Sequence, residues 1–124
     1  MLILSQRDVH AVLDMARLID ALAEAMIDLS AGRASVPPRV GASVVDPPGI
    51  LAAMPAYLPS SDALAAKLVS VFPDNVDQPT HQALICCFDP VSGVPLAVMD
   101  GGYVTAARTA AGSALATRLL ARAG

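Results

Sequence analysis

The sequence predicts an α+β fold, in which N-terminal helices cover a mostly antiparallel sheet and the chain ends in a long helix. A short strand and two helical patterns come first, about five strand-like segments follow with no helix between them, and the last 20 or so residues are helical again. Separate runs of helices and strands are typical of this class, whereas strict alternation would favour a parallel α/β fold. At 124 residues, the chain is expected to form one domain over residues 1–124.

The N-terminal segment predicts an edge strand and two helices. Leu2, Ile3 and Leu4 form the short apolar strand. Ser5 is expected to cap a helix over residues 6–13, with Asp8 at the third position after it. A second helix begins after Asp14 and ends at Gly32. Its apolar side chains recur at helical spacing, and its other side carries four charged residues: Arg17, Asp20, Glu24 and Asp28.

The middle of the chain predicts strands separated by turns rich in proline, glycine and aspartate. The strands are expected over residues 39–45, 50–57, 64–72, 81–88 and 94–99, with a tight hairpin turn at residues 89–93. The second of these is expected to be interrupted at Pro55, because proline has no N–H to donate to a neighbouring strand. A last helix over residues 103–122 is rich in alanine, which lets another backbone approach closely.

Composition excludes several classes of protein. Hydrophobic residues make up 55% and charged residues only 15%, against about 25% charged residues in a typical soluble domain. We therefore expect a large apolar surface to be covered by a partner subunit or by further chain. The net charge of -3 and the scarcity of aromatic residues argue against nucleic-acid binding. No apolar run is long enough to cross a membrane, and with no signal peptide we expect a cytoplasmic protein.

Candidate ligand-binding residues are cations in unusual places. Lys67, the only lysine, lies within an apolar strand, where an unpaired ammonium is costly; the alternative is an edge strand protected by its charge. Arg108 lies on a small-residue stripe of the last helix and suits a carboxylate; the alternative is an ion pair with Asp89 or Asp100. Arg39 is a weaker candidate. Three cations around one sheet, with the hydroxyl of Thr80, would suit a small carboxylate.

The sequence also lacks many recognisable chemical motifs. It has no Ser-His-Asp spacing, HExxH, CxxC, P-loop or GxGxxG pattern. Cys86 and Cys87 are adjacent and point to opposite sides of a strand, so we interpret them as small core residues in a reducing compartment. His10 has no neighbouring ligand candidates, and we predict no metal site.

Several segments together resemble the ornithine cyclodeaminase/mu-crystallin family. The resemblance covers nearly the whole chain and rests on four short motifs and one long one: Pro38-Arg39, Ala53-Met54-Pro55, Ala66-Lys67-Leu68-Val69-Ser70, Pro79-Thr80-His81-Gln82-Ala83-Leu84, and residues 88–111. The long motif runs D-P-V-S-G-V-P, a hydrophobic strand, D-G-G, and then R-T-A-A at residues 108–111.

This resemblance implies an NAD- or NADP-dependent enzyme of amino or imino acids, with a substrate-binding and dimerisation domain and a Rossmann domain. The family pattern implies that Arg39, Lys67 and Arg108 bind the substrate carboxylate, with Lys67 also assigned as catalytic. It would place Thr80 beside the bound ligand or the cofactor, and we assign Thr80 to cofactor binding. The sheets of two subunits would join in a homodimer. Residues 1–124 would be the first of these domains, and the Rossmann domain is absent from the sequence.

Two departures from the family pattern shape the expected activity. Ala52 replaces a glutamate that some cyclodeaminases carry, which favours a ketimine reductase, such as a pyrroline-2-carboxylate reductase, or an alanine dehydrogenase. Without a Rossmann domain, the chain alone is expected to bind no NAD or NADP and to be inactive. Two alternatives are a non-catalytic carboxylate-binding protein of the mu-crystallin type and an inactive truncated fragment.

Overall fold

The architecture is a six-stranded mixed sheet with three helices, as a computed structural model describes it for residues 1–122. The predicted α+β class and its order of elements are confirmed. The sheet order is β1-β6-β5-β4-β3-β2, in which β1 pairs parallel to β6 and all other neighbours are antiparallel. The elements in chain order are β1 (Leu2–Leu4), α1 (Gln6–Val12), α2 (Met15–Ser30), β2 (Val40–Val44), β3 (Gly49–Leu58), β4 (Ala63–Val71), β5 (His81–Phe88), β6 (Pro95–Asp100) and α3 (Gly102–Leu120).

The two N-terminal helices begin where local sequence directs them. The Ser5 hydroxyl accepts a hydrogen bond from the amide of Asp8, and the Asp8 carboxylate accepts one from the amide of Ser5, which together form a capping box. The carboxylate of Asp14 caps α2 by accepting from the amide of Arg17 at 2.8 Å. Gly32, just after α2, has a φ of +69°, a left-handed conformation that suits glycine.

The prediction that Pro55 interrupts its strand is wrong. β3 runs through Pro55 without a break and pairs with β4 along its whole length. On the other side, β2 begins at Val40, opposite Ala53, and the only further bridge is between Tyr57 and Ser35 in the part of the chain that the structure describes. The Tyr57 amide donates a hydrogen bond to the Ser35 carbonyl. The backbone repeats every two residues along a strand, so the nitrogens of residues 55 and 57 point toward the same neighbouring strand. The nitrogen of Pro55 therefore faces this gap, where no hydrogen bond is required.

The placement of Asp28 on the polar side of α2 is also wrong, since it is only 2% exposed. Its carboxylate accepts two hydrogen bonds from the Arg33 guanidinium, at 2.9 and 3.1 Å. It also accepts one from the amide of Ser60, at 2.8 Å. Ser60 belongs to a 3₁₀ turn, Pro59–Ser61, between β3 and β4. Asp28 therefore ties the end of α2 to the turn that joins β3 and β4.

All three helices lie on one side of the sheet, which we call the helix face. α3 contacts β5, α1 contacts β6, and α2 packs along α3. The buried apolar core between these layers consists mainly of small side chains: Val9, Ala52, Ala97, Ala107, Ala111 and Leu115. Alanine-sized side chains let α3 approach the sheet closely, so its first turns lie near the middle strands.

Candidate functional site

The three predicted cations meet at one cavity of about 400 Å³ on the helix face. Arg39, Lys67 and Arg108 all line it. Arg39 immediately precedes β2, Lys67 is in the middle of β4, and Arg108 lies in the second turn of α3. The strand register positions Lys67 directly opposite Met54 on β3 and Ile85 on β5. The three positive side chains thus approach one space from three separate elements.

The alternative explanations for Lys67 and Arg108 do not fit the structure. β4 lies between β3 and β5, so Lys67 does not protect an edge strand. Arg108 has no ion pair within residues 1–122, where Arg33 and Arg118 form the salt bridges. Asp89 instead accepts hydrogen bonds within its own turn, and Asp100 accepts from the amide of Gly102.

The rest of the cavity is apolar or carries hydroxyl groups. Met54, Ile85 and Val104 form its apolar wall, and Thr105 and Thr109 add hydroxyls from α3. None of the lining residues is an aspartate or a glutamate. An anion that enters would therefore meet three cationic donors and no opposing carboxylate. Lys67 is half-buried, whereas Arg39 and Arg108 are exposed.

The sequence analysis missed Met54, Ile85, Thr105 and Thr109 as lining residues. A signal for the two threonines was available, since Thr105 is three residues before Arg108 and four before Thr109, both spacings that share one helix face. Met54 and Ile85 depend on strand register, and no local pattern in the sequence fixes it.

Thr80 lies apart from this cavity. It is exposed, and its hydroxyl lies 3.2 Å from the ring nitrogen Nδ1 of His81. Thr80 is five residues along the chain from Ile85, which corresponds to roughly 16 Å of extended strand. Only a ligand much longer than an amino acid could contact Thr80 and the three cations together.

A larger cavity, of about 710 Å³, lies mainly on the opposite face of the sheet and contains none of the three cations. Leu51, Leu68 and Leu84 are among its lining residues. Side chains alternate along each strand, so Leu68 faces away from the helices when its neighbour Lys67 faces them. We call this side the open face. Neither arginine nor lysine lines this larger cavity, so we assign the candidate site to the smaller cavity, where the three cations meet.

Other groups capable of chemistry lie away from the cavity. Both cysteines are free and half-buried, and burial raises the pKa of the Cys87 thiol, with a smaller contribution from neighbouring Cys86. A raised pKa disfavours the reactive thiolate. Residues 1–122 contain no cluster of His, Cys, Asp or Glu side chains that could hold a metal ion. In the same part of the chain, no helix is both long and apolar enough to cross a membrane.

Comparisons with known proteins agree with this fold. The model of the ornithine cyclodeaminase/mu-crystallin family matches residues 1–124. The chain is 49% identical over 86 residues to the ketimine reductase mu-crystallin of Mus musculus, a match covering 68% of this chain and 28% of that protein.

Two solved structures have the same fold. One is the Delta(1)-pyrroline-2-carboxylate reductase of Thermococcus litoralis in complex with NADH and L-proline, with a TM-score of 0.90 and 41% identity. The other is an archaeal alanine dehydrogenase dimer with bound NAD, with a TM-score of 0.89 and 37% identity. Each match covers 98% of this chain and 38% of the solved chain. The sequence therefore spans less than two fifths of these relatives' length.

Proposed function

The chain belongs to the ornithine cyclodeaminase/mu-crystallin family, and we propose that in a complete enzyme of that family it binds the carboxylate of a small amino or imino acid. The observation that carries the proposal is the convergence of Arg39, Lys67 and Arg108, without ion pairs in residues 1–122, on one cavity. Arginine binds a carboxylate through two parallel hydrogen bonds, and lysine adds a compact charge.

In this proposal the cations orient the ligand. With the carboxylate held between β4 and α3, the carbon next to it is fixed above the apolar wall formed by Met54, Ile85 and Val104. Fixing a reacting carbon in this way lowers the entropic cost of the reaction. Lys67 is the residue that we assign to catalysis, because its ammonium comes from the centre of the sheet, between Met54 and Ile85.

The absence of a carboxylate among the lining residues favours one group of substrates. Ornithine and lysine carry a second ammonium group, which would lie unpaired among three cations. A cyclic imino acid or a small apolar amino acid has no such group. We therefore favour a ketimine reductase, such as a pyrroline-2-carboxylate reductase, or an alanine dehydrogenase over a diamino-acid cyclodeaminase.

We propose that residues 1–122 do not by themselves hold the pyrophosphate of NAD or NADP. The most suitable place would be the start of α3, where Gly101 and Gly102 follow β6. Their amides are already used, however, by the Ala83 carbonyl at 2.7 Å and the Asp100 carboxylate at 3.0 Å. β6 is also antiparallel to β5, whereas a dinucleotide fold needs parallel strands. We propose that a cofactor, if used, is held mainly by other segments, with Thr80 as a contact from this chain.

We further propose that the open face pairs with a second copy of this chain. The register carries a row of Val40, Ala53, Leu68 and Leu84 across four strands of this face. Val40 is 66% exposed and Leu84 is 49% exposed. A contiguous apolar surface of this kind is typical of a protein interface, and a relative of the same fold is a dimer.

A titration tests the carboxylate site. The complete protein encoded by the reading frame that contains this chain would be titrated calorimetrically with pyrrole-2-carboxylate, a planar mimic of a cyclic imino acid. We expect Lys67→Met and Arg108→Met each to weaken binding roughly tenfold to a hundredfold, since each removes a charged hydrogen bond. The matched control is Arg118→Met, because Arg118 pairs with Asp20 away from the cavity. Parent-like affinity in a folded Lys67→Met variant would contradict the proposal.

A further inference from the structure

The polar groups that line the cavity divide sharply into donors and acceptors. Arg39, Lys67 and Arg108 can only donate hydrogen bonds. The thioether of Met54 is a weak acceptor. The remaining polar side chains are the hydroxyls of Thr105 and Thr109, so they supply the strong side-chain acceptors of this cavity.

Thr105 is fixed as an acceptor by its own helix. Its hydroxyl donates its single proton to the carbonyl oxygen of Gly101 at 2.7 Å, one turn earlier in α3. The lone pairs that remain can accept a hydrogen bond, but the group has no proton left to donate. Thr105 is half-buried, so water has restricted access to the lone pairs of its hydroxyl oxygen. The Thr109 hydroxyl donates a similar hydrogen bond to the backbone carbonyl oxygen of Thr105 at 2.9 Å, but Thr109 is exposed.

We propose that the Thr105 hydroxyl accepts a hydrogen bond from the N–H group of the bound ligand and so selects ligands that carry N–H beside their carboxylate. This inference depends on the carboxylate site proposed above. The three cations would bind any small carboxylate, including 2-oxo acids and carboxylates attached to a ring ether. They would also repel a positively charged imine nitrogen. An acceptor on the same cavity offsets that repulsion and distinguishes nitrogen from oxygen, because an oxygen at that position has no proton to donate.

Two ligands of nearly the same shape separate this role from carboxylate binding. Pyrrole-2-carboxylate carries a ring N–H next to the carboxylate, and furan-2-carboxylate has a ring oxygen there. We expect the parent protein, the full product of the reading frame, to bind the pyrrole about threefold to tenfold more tightly, the range of one hydrogen bond. In Thr105→Val the two affinities should become equal within about twofold, mainly through weaker pyrrole binding. Thr105→Ser, which keeps the hydroxyl, should restore the preference.

The control for helix effects is Thr117→Val. Thr117 makes the same kind of bond, to the Ser113 carbonyl at 2.9 Å, three turns further along α3 and outside the cavity. We expect this variant to keep the parent's preference for the pyrrole.

The possible results distinguish the two proposals. Equal binding of both ligands by the parent would overturn the role of Thr105 and leave the carboxylate site standing. Loss of the preference in Thr109→Val but not in Thr105→Val would also overturn it. Failure of the parent to bind either ligand would overturn the carboxylate site, and the role of Thr105 with it.

Discussion

The amide of Gly101 donates a hydrogen bond of 2.7 Å to the carbonyl oxygen of Ala83. This bond joins the residue before α3 to the interior of β5. Ala83 lies two residues from Ile85, which is directly opposite Lys67. The start of α3 is thereby fixed to the strand that neighbours Lys67, and α3 carries Arg108. This contact therefore contributes to setting the distance between the two cations, together with the packing of α3 on α1 and α2.

We expect Gly101→Ala to weaken both folding and ligand binding. A β-carbon at position 101 would lie 2.9 Å from the β-carbon of Ala83 and 3.1 Å from its carbonyl carbon. The backbone on one side must move, because neither group is a flexible side chain. Affinity for pyrrole-2-carboxylate should fall several-fold even in protein that remains folded, as a calorimetric titration would show. Parent-like affinity would mean that α3 is positioned by other contacts.

Gly112→Ala is the matched change in the same helix, and we expect the opposite sign. Gly112 is in the interior of α3, and nothing lies within 4 Å of the position its β-carbon would take. Alanine stabilises a helix interior by about 0.5–1 kcal/mol relative to glycine. Thermal unfolding should move to higher temperature with unchanged ligand affinity. A loss of stability would show that α3 packs against something at this position.

Local sequence patterns predicted the helices well because helix caps act over short distances. The amides of Asp8 and Arg17 donate hydrogen bonds to the side chains of Ser5 and Asp14, and each bond spans three residues. Asp28 was misassigned because helical periodicity describes one helix alone. Its partner Ser60 is 32 residues away in the chain, and only the tertiary fold brings the two together.

The candidate site was predictable as a set of cations but not as a place. Lys67 was a candidate because an unpaired ammonium in an apolar strand is costly, and the family resemblance linked it to Arg39 and Arg108. Their meeting depends on the register between β4 and β5 and on the contact between Gly101 and Ala83. Neither follows from periodicity or composition, so the lining residues Met54 and Ile85 could not be found from sequence patterns.

Leu84→Glu should disrupt the proposed dimer. Leu84 is 49% exposed on the open face and lies opposite Leu68. If a second copy covers this face, a carboxylate there loses water without gaining a partner, which is costly. We expect analytical ultracentrifugation to show a dimer for the parent and a shift toward monomer for this variant.

Val76→Glu provides the control for the dimer experiment. Val76 is 92% exposed in the loop between β4 and β5, so it adds the same charge outside the open face. Its association should match that of the parent. A monomeric parent, or a Leu84→Glu variant that associates as well as the parent, would contradict pairing through this face.

Asp28 should make folding stability depend on acid pH. Hydrogen bonds from Ser60 hold the pKa of Asp28 below its usual 3.8; burial opposes this effect, and Arg33 adds a smaller lowering. A carboxyl group with a lower pKa in the folded state stabilises that state fully above the pKa of the unfolded chain. This contribution is lost as the pH falls below about 4 and through the lower folded value.

In Asp28→Asn we expect a lower free energy of unfolding at pH 7 and a weaker dependence of stability on pH between pH 5 and 2. The stability curves of the two proteins should therefore converge in acid. Some acid dependence should remain, because hydrogen bonds within their local turns also lower the pKa of Asp8 and Asp89. Chemical denaturation at a series of pH values measures this, with Asp74→Asn, a change in an exposed loop, as the control. Parallel curves for Asp28→Asn and its parent would show that Asp28 has no lowered pKa in the folded protein.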